Sequence, residues 1–383
     1  MESIRSVTAA LRRALLSCSP IAIFRSIRAR NATCTSCAGG SGYRGESSRF
    51  NDVDRRKVNL GVDWTDLPST RRFAWPEARR VFSMQSDMSP VGSREESMQI
   101  AHLAVKQLSH IATLPEVTLG IIELVENPNS SAQDLNALIG RDPALSARVL
   151  KVVNSAFYGL PRQIGSINRA ISLLGLNAVK NIAIAASLAK LFRGGALCDR
   201  FDAKDLWSHS IAVATAAKLL AKEARMSSGD EAFLAGLMHD IGIMVELQSD
   251  RAKLVKVFGD MQFDGSGNPL IDFRMAERAV FGADHGHFGE ALCEQWKFPR
   301  SLALACGHHH DPMHAPAESR HIPWLVHVAD RLATEVDGFR MDIFDRAVPR
   351  EALEALGLST AQLDSVRSQL VVALDEATAT LAV

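Results

Sequence analysis

The sequence predicts an all-α fold. From Met98 onward apolar residues recur three and four apart, helix-start and helix-stop signals separate the periodic stretches, and alternating strand-like runs are scarce. Ile100, Leu103, Ala104, Gln107, Leu108 and Ile111 open a helical stripe that ends at Leu114-Pro115. Ser130-x-x-Gln133 reads as a capping box, and Asp142-Pro143 as an N-cap followed by proline at the first helical position. Val149, Val152 and Val153 are β-branched, but they follow that strong start and are expected to be helical. Leu174-Gly175-Leu176-Asn177 reads as a glycine stop and a new N-cap. The longest interior loop is expected over 261–268, where Gly265, Gly267, Asn268 and Pro269 cluster. Ser359-x-x-Gln362 opens a last helix carrying Leu363, Val366, Leu370 and Leu374.

The chain has 383 residues, room for one large or two ordinary domains with a sizeable core. Its formal net charge of +0 gives no global field toward nucleic acid or an anionic membrane. No apolar run is long enough to span a bilayer, so membrane insertion is not expected. Nucleic-acid binding is disfavoured too: the basic residues lie mostly near the N-terminus, and no helix with clustered Arg or Lys stands out as a groove reader.

Met1 to about Arg30 is rich in Arg and Ser with a single acid, Glu2, a composition shared with organellar transit peptides. The preferred reading is an unstructured extension, or a start placed too far upstream with Met84, Met88 or Met98 as the working one. From Arg30 to Glu95, Gly/Ser clusters, basic dipeptides and the isolated Trp64 and Trp75 read as mostly disordered. The six cysteines show no disulfide-like spacing, which predicts a reducing, cytoplasmic setting. Cys293 and Cys306 read as small hydrophobes, and the lone Cys34-x-x-Cys37 pair as a solvated loop rather than a zinc site.

Histidine placement is the sharpest feature. Ten of the twelve histidines follow residue 200, many at helix ends beside acids. Asp205 and His209 are four apart, one turn along one helix, a spacing that presents two ligands to one ion. His239-Asp240 sits directly after one helix and before Ile241-Gly242, where the glycine is expected to free the backbone. His285, preceded by Asp284, opens a helix running to Trp296, and His308-His309-His310-Asp311 follows a helix ending at Gly307. Asp330 lies inside an apolar helix, Trp324 to Leu332, where an unpaired carboxylate is costly to bury. His287, His314, His321 and His327 read as surface or capping residues. Imidazoles with carboxylates suit Fe, Mn, Zn or Mg, and ligand softness does not choose among them.

At these residues the sequence resembles the HDOD branch of the HD superfamily of metal-dependent phosphohydrolases. The likeness is carried by Asp142 to Leu145, Val153 to Tyr158, Ser166 to Gly175, Ala235 to Gly242, Trp296 to Pro299 and His309 to Pro312, and spans Leu103 to the mid-330s. It implies an extension over 1–97 and an HDOD domain over 98–336. That domain divides into an N-terminal helical subdomain (98–192) and an HD-type core (193–336), with C-terminal helices (337–383) packing on the core. It carries over His209, His239, Asp240, His285 and Asp330 as metal ligands. His309 and His310 match the paired histidines of the HD-GYP cyclic-dinucleotide phosphodiesterases, and Asp205 their acid one turn before the first His. Two departures weigh against catalysis: Ile243 stands where those enzymes carry a phosphate-contacting lysine, and Pro312 to Pro316 replaces their Gly-Tyr-Pro loop. The resemblance therefore implies a bacterial regulatory module of signal transduction, with signalling proteins or a second copy as partners and a nucleotide as a candidate ligand. A phosphohydrolase acting on a nucleotide or cyclic dinucleotide is the alternative.

Overall fold

The computed structural model describes residues 92–108, 116–127, 129–155, 158, 160–192, 196–198, 200–264, 268–339, 341 and 347–381. Residues 1–91 of the expected extension, with the Cys34/Cys37 pair, Trp64 and Trp75, and also Ile111, the Leu114-Pro115 stop and Gly265 to Gly267, lie outside them. The described chain is helical, with one small hairpin, β1 (Ala196–Cys198) and β2 (Phe201–Asp202), paired antiparallel. Among the described residues no helix is long and apolar enough to cross a membrane.

α1 (Arg94–Gln107) starts four residues before the expected boundary, because Ser93 and Glu96 form a capping box. Its buried face is Ser97, Ala101 and Val105, whereas Ile100 and Leu103 are exposed. The apolar stripe read from the sequence is therefore offset, and small residues make the contact with the rest of the domain. α2 (Glu116–Glu126) and α3 (Ala132–Gly140) follow. The box at the head of α3 is Ser131 with Asp134, one residue past the predicted one, and Ser130 instead accepts a hydrogen bond from the buried Lys180 at 2.8 Å. α4 (Pro143–Val153) has the predicted Asp142 cap, bonded to Leu145 N–H at 2.9 Å, and its three valines are helical and buried. Between α5 (Ile167–Leu174) and α6 (Leu176–Leu188) a single residue, Gly175 at φ 90°, serves both helices, so Asn177 lies within α6 and is not its cap.

The remaining helices build the part that holds the histidines. α7 (Ala203–Glu223) packs against α8 (Gly229–Met238), α14 (His321–Asp337) and the last helix, α16 (Thr360–Leu381). Trp207 Nε1 donates to Leu381 O at 2.8 Å, and the predicted Ser359–Gln362 box caps α16. Leu363, Val366 and Leu370 are buried. α9 (Ile241–Ser249), α10 (Arg251–Asp260), α11 (Phe273–Phe281), α12 (His285–Gln295), α13 (Arg300–His308) and the short α15 (Arg350–Leu356) complete the domain. Over 261–264 and 268–269 the expected interior loop is closed by a Phe263–Pro269 bridge.

Gly242 is required for a reason the sequence did not suggest. It is not among the glycines with positive φ, but a Cβ there would stand 1.9 Å from His285 O and 2.8 Å from Gly289 N. The missing side chain lets α9 cross directly against α12, bringing His239-Asp240 to His285. Gly242→Ala is expected to destabilise the protein by about 3 kcal/mol or more, since the obstructing atoms are backbone. A urea midpoint within experimental error of the unsubstituted chain would show that the crossing is not this close.

Candidate metal centre

Six predicted residues converge where these helices meet: His209 from α7, His239 and Asp240 from the α8–α9 step, His285 at the start of α12, His309 after α13, and Asp330 from α14. Each is 0–2% exposed. His310 joins them at the edge of the group, only partly buried. Two sets of donor atoms lie within 4.8 Å of one another: Asp240, His285, His309 and His310, and His209, His239 and Asp240. Asp240 belongs to both. Its carboxylate stands 3.2 Å from His239 Nε2, 3.4 Å from His309 Nε2 and 3.6 Å from His285 Nε2. Asp330 is 3.1 Å from His209 Nε2, which supplies the partner that its burial required.

Asp205 belongs to neither set. It lies in the first turn of α7 and is exposed. The four-residue spacing sets only approximate angular position on a helix, and in the first turn of α7 the buried positions are Ala203 and Leu206, not Asp205. The acid that meets His209 Nδ1, at 2.8 Å, is Asp337, two turns after Asp330 on α14. Phe339 stacks on the same ring, with centroids 4.5 Å apart.

The outer ring nitrogens are occupied. His239 Nδ1 is 2.8 Å from Gly236 O, His309 Nδ1 is 2.9 Å from Cys306 O, and His285 Nδ1 is 2.8 Å from Glu277 Oε2. Carbonyls and carboxylates only accept, so each Nδ1 carries the hydrogen and donates. In the neutral rings Nε2 then offers its lone pair inward. There the Nε2 atoms of His285 and His310 stand 2.8 Å apart, and His239 Nε2, His309 Nε2 and Asp240 Oδ1 are buried without a hydrogen bond. Buried polar atoms left this way cost about 1–3 kcal/mol each unless something satisfies them. A divalent cation fits what they lack.

Electrostatics divide the centre. Burial alone would lower His209, but Asp337 and Asp330 outweigh it and raise the imidazole well above its ordinary value. His239 is raised against burial in the same way by Asp240. Burial holds His309 low, while His310 is pushed well below by burial and then by the charges of His309 and Arg274. Asp240 is held well below the carboxylate range despite burial, by His239 first and then His309.

Several residues here were not singled out from sequence. Glu246 and Glu277 are both 0% exposed. Each had a signal: Glu246 interrupts the apolar run Ile241 to Leu247, and Glu277 lies one turn from Phe273 on an apolar helix face. A cleft of about 280 Å³ reaches His310 and is also lined by Arg94, Arg274, Arg278, His287 and His308. Arg94 pairs with Glu290, and its Nη2 is 3.1 Å from His308 Nε2. His287 and His327 are buried rather than superficial: His287 shares a capping box with Asp284, and His327 Nδ1 bonds His309 O at 2.6 Å. His314 and His321 are exposed as expected. Cys293 and Cys306 are free and buried, their sulfurs 3.6 Å apart.

Comparison with known proteins agrees with this architecture. The HDOD domain family model matches residues 111–312. An uncharacterized protein of Treponema pallidum (strain Nichols) is 26% identical over 249 residues, 63% of this chain, and the match spans only 46% of that relative. The crystal structure of an HDOD domain protein of unknown function from Geobacter sulfurreducens superposes with a TM-score of 0.62 at 24% identity, covering 74% of this chain and 99% of the other. A provisionally named signal transduction protein from Marinobacter aquaeolei VT8 gives 0.62 at 23%, covering 77% and 67%. A provisionally named phosphohydrolase from Shewanella amazonensis SB2B gives 0.58 at 23%, covering 74% and 98%. At these identities the likeness of the solved structures establishes the fold.

His209→Ala would leave Asp330 buried without its nearest counter-charge. In chelator, the variant is expected to lose about 3–5 kcal/mol by urea denaturation, the cost of breaking a buried pair. A loss under about 1 kcal/mol, within the range of an exposed pair, would show that the two are not coupled.

Proposed function

The chain belongs to the HDOD family, and from that premise we propose that it is a regulatory module of signal transduction which holds divalent metal in its His/Asp centre and acts through protein partners. The observation that carries this reading is the burial of the donors. Six of them are at most 2% exposed in the middle of the helical core, and among them His239 Nε2, His309 Nε2 and Asp240 Oδ1 make no hydrogen bond. An ion there would be a structural or sensory element of the core. Ile243, 1% exposed, fills with a hydrocarbon the place where a catalytic relative carries a cation. The ligands would be His209, His239, Asp240 and Asp330 with His285, His309 and His310, and the metal Fe, Mn, Zn or Mg. Partners would be signalling proteins or a second copy of the chain, in the cytoplasm, with residues 98–192 as an N-terminal helical subdomain on the HD-type core.

A second reading, a phosphohydrolase acting on a nucleotide or cyclic dinucleotide, is favoured by one observation. The cleft at His310 contains Arg274, whose Nε makes no hydrogen bond and whose ion-pair contact to Asp272 is a long 3.6 Å. A bound divalent ion supplies Lewis acidity at such a site. Arg274 would offset phosphate charge from a different helix than the lysine that Ile243 replaces.

Metal analysis of the full-length chain, followed by phosphomonoester and cyclic-dinucleotide hydrolysis assays with added Mn²⁺ or Fe²⁺, separates the readings. Bound metal that His239→Ala removes, with no turnover, is expected. Turnover that His239→Ala abolishes would replace the regulator with the hydrolase, and a folded protein that takes up no metal would remove the ion from both.

A further inference from the structure

Each donor set contains an imidazole whose outer nitrogen meets a carboxylate: His285 meets Glu277, and His209 meets Asp337. In contrast, His239 and His309 are held by backbone carbonyls. A carboxylate behind a ligating imidazole fixes its tautomer and makes the other nitrogen a stronger donor, so the two kinds of backing are not equivalent.

The two carboxylates differ as well. Glu277 is fully buried and grips His285 twice, taking its backbone N–H at 3.2 Å as well as Nδ1 at 2.8 Å. The ring is thus fixed to the helix start that carries it. Asp337 is the last residue of α14, and its side chain is 15% exposed, where water screens it. Burial and the charge of Glu277 push the nearby Glu246 carboxyl well up.

We propose that Glu277 is a positioning residue that makes the Asp240/His285/His309/His310 set the tighter of two ion positions, with Asp337 supporting a weaker one at His209. This rests on the metal-holding reading above and adds an order of filling. The four-donor set gains a dry, doubly bonded carboxylate behind His285; the three-donor set has a wetter one behind His209. Tight binding is therefore built from α9, α11, α12 and α13, and the weaker position depends on the end of α14.

Zn²⁺ titration of the full-length chain by calorimetry tests this. The unsubstituted protein is expected to bind in two steps. Glu277→Gln keeps an acceptor but loses the charge, and should weaken the tight step about 10–100-fold while sparing the other. Asp337→Asn should do the reverse. In the unsubstituted protein, ring ¹⁵N signals of His285 are expected to shift with the first equivalent of Zn²⁺ and those of His209 with the second, a readout that needs no variant to fold. Zn²⁺ binding with the tight step untouched by Glu277→Gln, or with His209 shifting first, overturns the order of filling and leaves the metal reading standing. A chain that binds no Zn²⁺ overturns both.

Discussion

Asp240 is the carboxylate on which the centre depends: it follows His239 at the break between α8 and α9 and lies within 3.6 Å of the Nε2 atoms of His239, His285 and His309. A carboxylate 2% exposed in a helical core is sustainable only because those imidazoles surround it. Their positions are fixed in turn by how the helices approach. Gly242 admits α12, the bond from Cys306 to Met238 O at 3.3 Å ties α13 to the end of α8, and α14 brings Asp330 against α7.

The same arrangement explains why the centre is poised for a cation rather than for another side chain. Hydrogen bonds to Gly236 and Cys306 place the proton on the outer nitrogens of His239 and His309, so in the neutral rings their inward nitrogens are acceptors facing the Asp240 carboxylate. Among the described residues none forms a hydrogen bond to His239 Nε2, His309 Nε2 or Asp240 Oδ1, whereas an ion of charge two would satisfy them. The conflict costs stability in its absence, which links the site to the fold: a ligand that binds the native state alone stabilises it by mass action. A regulatory domain could use that link, since metal occupancy would alter how firmly α9, α12 and α13 are held together.

The helical class, the Asp142 and Ser359 caps and most of the converging residues were legible in the sequence, because punctuation and the His-Asp order are local or nearly local signals. What was not legible depended on depth and on crossings. Asp205 is four residues from His209 but is exposed, while Ala203 and Leu206 beside it take the buried positions. Ser130 is drawn away from capping by Lys180, a residue fifty positions later. Gly242 reads as a source of backbone freedom and is in fact a point of contact with a helix more than forty residues on. Glu277 and Asp337 carry no motif; only the packing of α11 and α14 reveals that they stand behind histidines.

The most direct measurement of the central claim is anomalous scattering from crystals of the full-length chain grown with Mn²⁺. Peaks between Asp240, His285, His309 and His310 and between His209, His239 and Asp240 are expected, Asp240 being common to both sets. Fully ordered imidazoles with no anomalous density among them, at Mn²⁺ concentrations that occupy exposed carboxylates elsewhere on the molecule, would contradict the account.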